Sequence, residues 1–382
     1  MDRPKVALIH SELVIGGGPE LITLQIIEAL KDSYDVYLIT YHRPNFEQLN
    51  AFYDTKISSK DIEILQISPP FFKKAAALGG YKLARFCQKK SSNFDLMFSV
   101  YNPMDFGVKG IQYIIDPNFN EQLLQILNPY PQKFKRWFYR NSLLRKAYLN
   151  LGAYLSNFSL ERMKQNLSLV DSDWTGDLTK KFFGIETRTV YPPVPDKFPD
   201  IPWDKKKDGF ICIGRITPDK KLDRVITILK EVREKGWDVH LHIIGSACNV
   251  EYRKYLEHVC HKNQEWIFIE GNIPGERKSG IIAEHKFGIH GKDNEPFGIA
   301  VGEMVNAGCI VWVPNGGGQV EIVRHPALIY HNEVDAVNKI ESILQSQPLQ
   351  VEMRDHLKTQ SRKFSPARFR AEIREVVNQF LT

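Results

Sequence analysis

The stretch GFICIGRITPDKKLDRVI, residues 209–226, decides the fold. Its apolar run from Phe210 to Ile213 is bounded by glycines and has the length of a strand buried on both faces. Gly214 ends the run and a short polar loop follows. Leu222, Val225 and Ile226 then recur at helical spacing. Strand, glycine turn and helix in that order make half of a βαβ unit and set the loop at the carboxyl end of a parallel strand.

The same order recurs on both sides. Upstream, the pattern predicts strand 5–10, a turn at Gly16, Gly17 and Gly18, helix 19–30, and strands over 36–40, 95–100, 111–115 and 167–170. Downstream it predicts helix 222–235, strand 238–244, helix 251–260, strands 266–270 and 288–290, helix 297–307 and strand 309–313. Residues 191–208 carry five prolines in 18 positions, a density that blocks helices and ladders. The expected organisation is therefore α/β, with two Rossmann-like doubly wound domains facing each other across a cleft. Residues 1–195 form the first, 196–208 the linker and 209–365 the second, and a final helix over 366–382 packs back on the first.

The chain has 382 residues, 43% of them hydrophobic and 25% charged, which excludes wholesale disorder. No run approaches the ~18–20 apolar residues of a membrane span, and the N-terminus lacks a signal-peptide layout, so a cytoplasmic protein is expected. The five cysteines form no CxxC pair and read as reduced, mostly buried thiols. Cys248, Cys260 and His261 have no usual metal-site spacing.

Two clusters carry chemistry. In HGKDNEPFGIAVGEMVNAGC, residues 290–309, Glu295 and Glu303 flank the start of a helix that begins near Pro296. Their separation, roughly 12 Å along a helix axis, suits a ligand with hydroxyl-bearing rings at both ends and an anionic middle. The helix N-terminus offers free N–H groups to that middle. Gly298 clears an approach to the backbone, and Gly316, Gly317 and Gly318 form a turn that presents amides. His290 stands at the preceding strand end. In the second cluster, Arg215 and Lys220 follow the strand that ends at Gly214, two cations suited to a diphosphate. Read alone, each cluster is also compatible with a solvated surface.

Together these residues resemble the retaining glycosyltransferase family 4, whose members have the GT-B fold. The family's E-x7-E is matched by Glu295 and Glu303, its FG turn by Phe297 and Gly298, its GR…K element by Gly214, Arg215 and Lys220, and its GG-x-x-E by Gly317, Gly318 and Glu321. The stretch 170–194 is similar to that of mannosyltransferases that elongate lipid-linked oligosaccharides. The resemblance implies a hexosyltransferase using a nucleotide-diphosphate sugar, with GDP-mannose or a UDP-sugar as donor and a glycan or lipid-linked acceptor. It implies that Arg215 and Lys220 stabilise the leaving diphosphate with no metal or other cofactor, that Glu295 holds sugar hydroxyls, and that Glu303 binds the ribose. Phe297, Gly298 and Ile299 would contact the donor through their backbone, with Gly214, His290 and Glu321 nearby. Gly16, Gly17, Gly18, Tyr113 and Asp116 would line the acceptor side. Where relatives carry Y-x-H-x-P, this chain has Ile115 in place of the histidine, with Asp116 beside it. Asp171, Ser172 and Asp173 mimic a metal-binding D-x-D but fall at a strand end, where a coincidence is the reading. A nucleotide-sugar epimerase or phosphorylase on the same fold, or a non-catalytic nucleotide-sugar-binding subunit, are the alternatives.

The net charge of +6 conceals a division. Residues 64–94 and 122–160 contain no acid, and the second run holds the basic residues Lys133, Lys135, Arg136 and Arg140, with Phe134, Trp137, Phe138, Leu144, Tyr148, Leu151 and Leu155 at roughly helical spacing. A basic, aromatic, amphipathic segment suits peripheral docking on an anionic membrane. No motif accompanies the charge that would suit nucleic acid.

Overall fold

The computed structural model describes residues 3–69, 76–115, 123, 127, 142–247, 249–273 and 275–382. The chain divides into two compact units, Met1–Tyr191 with Ala367–Thr382, and Pro192–Pro366.

The first unit is a parallel sheet in the order β3-β2-β1-β4-β5-β6-β7. Its strands are β1 (Lys5–Ile9), β2 (Asp35–Thr40), β3 (Glu63–Gln66), β4 (Leu96–Tyr101), β5 (Ile111–Ile114), β6 (Leu167–Val170) and β7 (Arg188–Thr189). Registers such as Leu8↔Leu38 and Leu8↔Phe98 stack apolar side chains along one face, and Ile9↔Ile39 and Ala7↔Met97 along the other. The core also takes in the helix Pro366–Leu381, whose Phe369, Ile373, Val376 and Val377 recur at helical spacing and are fully buried. Each such burial contributes about 1.5–3 kcal/mol. The ring of Tyr113 meets Phe369 edge-on at 6.2 Å.

The second unit repeats the winding in the order β10-β9-β8-β11-β12-β13. These are β8 (Lys207–Ile213), β9 (His240–Ile244), β10 (Ile267–Gly271), β11 (His285–Ile289), β12 (Ile310–Pro314) and β13 (Ile329–Tyr330). Phe210, Phe287 and Trp312, on three neighbouring strands, form an aromatic centre with ring centroids 5.2–5.9 Å apart. In each unit the winding reverses at one strand pair, β1/β4 and β8/β11. Ligands of open parallel sheets bind beyond the carboxyl ends of such pairs.

Three local readings need correction. The helix expected over 297–307 is Ile299–Asn306, because Gly298 adopts φ +99 and caps it in the left-handed region. Pro296 therefore lies outside the helix, and Glu303 sits just over one turn in. The strand expected over 288–290 runs from His285 to Ile289; the polar His285 and Lys286 masked its start. The proline run packs on the second unit, where it was expected to act as a spacer. Val194 N–H donates to Phe364 O at 2.8 Å, Asn306 Nδ2 donates to Pro195 O at 2.8 Å, and Trp203 meets Phe287 edge-on.

Candidate active site

At the β8/β11 switch point, the loop after β8 carries Gly214, Arg215 and Lys220, and the loop after β11 carries His290 to Gly298. Gly291 is what lets the loops close on each other. A Cβ there would lie 2.7 Å from Lys221 O and 2.9 Å from Lys220 O. Lys220 extends over Gly214, and its Nζ donates to Glu295 Oε2 at 2.6 Å. Lys292 Nζ lies 3.5 Å from the same oxygen, and His290 Nε2 lies 3.4 Å from it. Lys221 and Arg224 both pair with Asp293, fastening the loops a second time.

Burial alone would raise the Glu295 carboxyl, but Lys220, Lys292 and the His290 contact hold it well below the usual carboxylate range. Burial lowers Lys220, with Glu295 opposing. His290 is buried, its pKa is lowered by desolvation, and its Nδ1 has no hydrogen-bond partner among the described residues. A neutral ring there donates from Nε2 to Glu295 and keeps an unused acceptor at Nδ1. Arg215 differs from its neighbours: it is exposed, and among the described residues nothing pairs with its guanidinium.

Further out, both oxygens of Glu303 accept from Lys278 at 2.7 Å. The ring of Phe297 turns inward against Phe364 at 5.4 Å, leaving its backbone toward the loop. Gly298 and Ile299 open a helix that has no side-chain cap. The glycine turn behaves differently from the expectation of open amides. Gly318 N–H donates to Glu295 O at 2.8 Å, and Gly317 (φ +79) forms a bridge with Glu295 so tight that a Cβ would overlap the Glu295 carbonyl. The turn braces Glu295. Glu321 is half-buried in the first turn of the helix Gln319–Val323.

In the first unit, Gly16 and Gly17 follow β1, and both amides donate to the Tyr53 hydroxyl at 3.0 Å; Gly18 starts the next helix. Tyr113 does not reach a surface. It is fully buried and its hydroxyl donates to Val190 O at 2.5 Å, so both ring and hydroxyl serve the core. Ile115 packs against the same core. Asp116 and the basic residues Lys133, Lys135, Arg136, Trp137 and Arg140 lie outside the described residues. Asp171 is buried, Ser172 caps the helix Asp173–Phe183, and Asp173 accepts from Thr189 at 2.6 Å, an arrangement of capping rather than metal ligation.

Sequence reading missed two features. Lys292 faces Glu295 from three residues away, a spacing that could have flagged it. At the β1/β4 switch point, Tyr101 has φ +92, and the Oδ1 of the adjacent Asn102 is buried with no partner among the described residues. Strain of this kind clusters at functional positions, and no local sequence pattern announces it.

Two parallel, doubly wound α/β units of this connectivity define the GT-B fold class. Solved structures agree: one of Anabaena HepE in complex with UDP and glucose has a TM-score of 0.70 at 15% identity, covering 98% of this chain and 100% of that one. Sucrose-phosphate synthase from Thermosynechococcus elongatus gives 0.72 at 13% identity, covering 99% of each. Residues 194–364 match the family described as glycosyl transferases group 1. Proteins named GDP-Man:Man(3)GlcNAc(2)-PP-Dol alpha-1,2-mannosyltransferase are similar over longer spans. The Dictyostelium discoideum protein is 24% identical across 74% of this chain, the mouse protein 28% across 56% and the human protein 23% across 82%. The chain spans 58%, 47% and 73% of their respective lengths.

Proposed function

We propose that the protein is a retaining, metal-independent hexosyltransferase that moves a sugar from a nucleotide-diphosphate donor to a glycan or lipid-linked acceptor. The observation that carries this reading is the Lys220–Glu295 pair beside an Arg215 unpaired among the described residues, set at the carboxyl edge of a switch point in the part of the chain that matches the group 1 family. Lys220 gives one N–H to Glu295 and has two more for phosphate oxygens. Arg215 offers a fork to the diphosphate. Together they stabilise the charge that develops on the leaving group, the task a metal would otherwise perform. The ionised Glu295, fixed by Gly317 and Gly318, accepts hydrogen bonds from sugar hydroxyls, and His290 presents a neutral ring beside it. Glu303, held by Lys278, receives the ribose. The names of the similar mannosyltransferases favour GDP-mannose as the first donor to try.

The acceptor side has its own support. Within the acid-free run, the helix Ser142–Ser156 exposes Leu143 (77%), Leu151 (56%), Tyr154 (83%) and Leu155 (66%) on one stripe, with Lys146 also exposed. Among the described residues no helix is long and apolar enough to cross a membrane. The stripe suits peripheral docking at a cytoplasmic membrane face, where a lipid-linked acceptor would be met.

The test is release of nucleoside diphosphate from GDP-mannose, UDP-glucose and UDP-N-acetylglucosamine in the presence of a chelator, with and without inorganic phosphate. Transfer to an added acceptor with the anomeric configuration kept supports the reading. Release that requires phosphate and yields a sugar phosphate identifies a phosphorylase. Donor binding without turnover identifies a binding subunit. Indifference to anionic vesicles at low salt overturns the membrane assignment.

A further inference from the structure

At the amino ends of the second sheet, away from the phosphate-facing loops, three histidines converge. His240 and His242 lie two residues apart on β9 and so point to one face; His285 opens β11. The two strands flank β8, whose Gly209 pairs with His240. A Cβ at Gly209 would overlap the His240 ring, so the glycine clears the space in which the imidazoles meet. Ring centroids are 4.7–5.3 Å apart, His240 Nε2 lies 3.0 Å from His285 Nε2, and one nitrogen of each ring falls within 4.8 Å of the others.

The outer contacts fix the tautomers. His285 Nδ1 lies 2.6 Å from Ile281 O, a bond that requires the proton on Nδ1 and leaves Nε2 as a lone pair. His242 Nδ1 lies 2.8 Å from Glu270 Oε1, which likewise leaves its Nε2 as a lone pair. A carboxylate on one imidazole and a backbone carbonyl on another is the outer shell that orients histidines toward a metal. Without an ion, the single N–H of a neutral His240 can serve only one of these two lone pairs. Lys207 is a nearby cation, and it pairs with Glu284 at 2.6 Å. Phe268 stacks on His242 at 4.8 Å and steadies its plane.

We propose that His240, His242 and His285 bind a divalent transition-metal ion of the zinc class, with solvent in the fourth position, stapling β9 to β11 across β8. Zinc–nitrogen bonds of about 2.0–2.1 Å place tetrahedral ligands about 3.3 Å apart; the His240–His285 pair is already near that spacing, and atoms within 4.8 Å of one another need to close by up to about 1.5 Å. His285 is buried, whereas His240 and His242 are partly exposed and give the ion its entry. Five residues of strand, about 3.3 Å each, separate His285 from His290, so the ion has no part in the sugar chemistry.

The test is titration of the untagged full chain with cobalt(II) and zinc(II), read by calorimetry, by the visible spectrum of the cobalt form and by thermal shift. One equivalent should bind, zinc should displace cobalt, and the melting temperature should rise. His240→Ala and His242→Ala should each weaken binding at least tenfold, and Glu270→Gln should weaken it about 10–100-fold by releasing the His242 tautomer. No saturable binding by the wild type, or equal binding by the folded His240 and His242 variants, overturns the proposal.

Discussion

Lys220 Nζ and Glu295 Oε2 meet at 2.6 Å, joining two loops that leave adjacent strands and are 75 residues apart in sequence. The pair is partly shielded, with only 13% and 16% of the two side chains exposed, and Lys292 shares the carboxylate. Replacing Lys220 by Ala leaves Glu295 with weaker partners and removes a donor aimed at the leaving group. Loss of one such stabiliser lowers kcat by about 10²–10³. A kcat for Lys220→Ala within a few-fold of wild type would remove Lys220 from the proposed chemistry.

Arg215 permits a cleaner separation of function from stability. Its guanidinium is exposed and unpaired among the described residues, so Arg215→Ala should leave unfolding within about 0.5 kcal/mol of wild type. Turnover with the preferred donor should nevertheless collapse. Paired denaturation and initial-rate measurements check both halves.

Gly317→Ala should act on the same carboxylate from behind. The position has φ +79, and the added methyl overlaps the Glu295 carbonyl. A cost of about 1–3 kcal/mol from backbone strain is expected, with a rise in donor KM as the Glu295 loop is displaced. An unchanged melting temperature and KM would show that the turn does not brace Glu295.

Acid should weaken the first unit through His10. Burial pushes this histidine down to about 4, and its Nδ1 lies 2.7 Å from the Thr23 hydroxyl. Between about pH 6.5 and 4 the unfolded chain binds the proton that the folded chain refuses, so stability rises with pH across that window and is lost on acidification. The difference amounts to roughly 3 kcal/mol at 1.36 kcal/mol per pH unit. Urea unfolding of His10→Gln should show a shallower decline across the window than wild type; parallel curves would refute the assignment.

Phe369→Ala should destabilise the first unit by about 3–5 kcal/mol, because the ring is fully buried and braces Tyr113. Urea unfolding measures it, and a loss below 1 kcal/mol would contradict its place in that core.

The residues that faced one another across a switch point were largely legible. Apolar runs ending in glycine marked β1 and β8, and the acidic and basic residues just beyond the second defined the loop cluster. Legibility failed where a role depends on pairing across the sheet. Tyr113 resembled a site residue by its motif, and only its register in β5 and the distant Phe369 draw it into the core. β3, a short edge strand reading Glu-Ile-Leu-Gln, carries no long apolar run. His240 and His242 share a strand face by their i, i+2 spacing, but their partner, 45 residues beyond His240, is supplied by sheet order alone. Gly298 was read as making room for a ligand, and its positive φ shows that it also sets where the helix begins.

The return of residues 367–382 to the first unit has a consequence for biosynthesis. The second unit is continuous in sequence and has all its strands once residue 366 has emerged from the ribosome. The first has all its strands far earlier but lacks Phe369, Ile373, Val376 and Val377. Its apolar face stays open throughout translation of the second unit, so the half made first is finished last. A nascent chain stalled before Phe369 would expose that face to chaperones, and cleavage near the end of this sequence would unseat the unit made at its beginning.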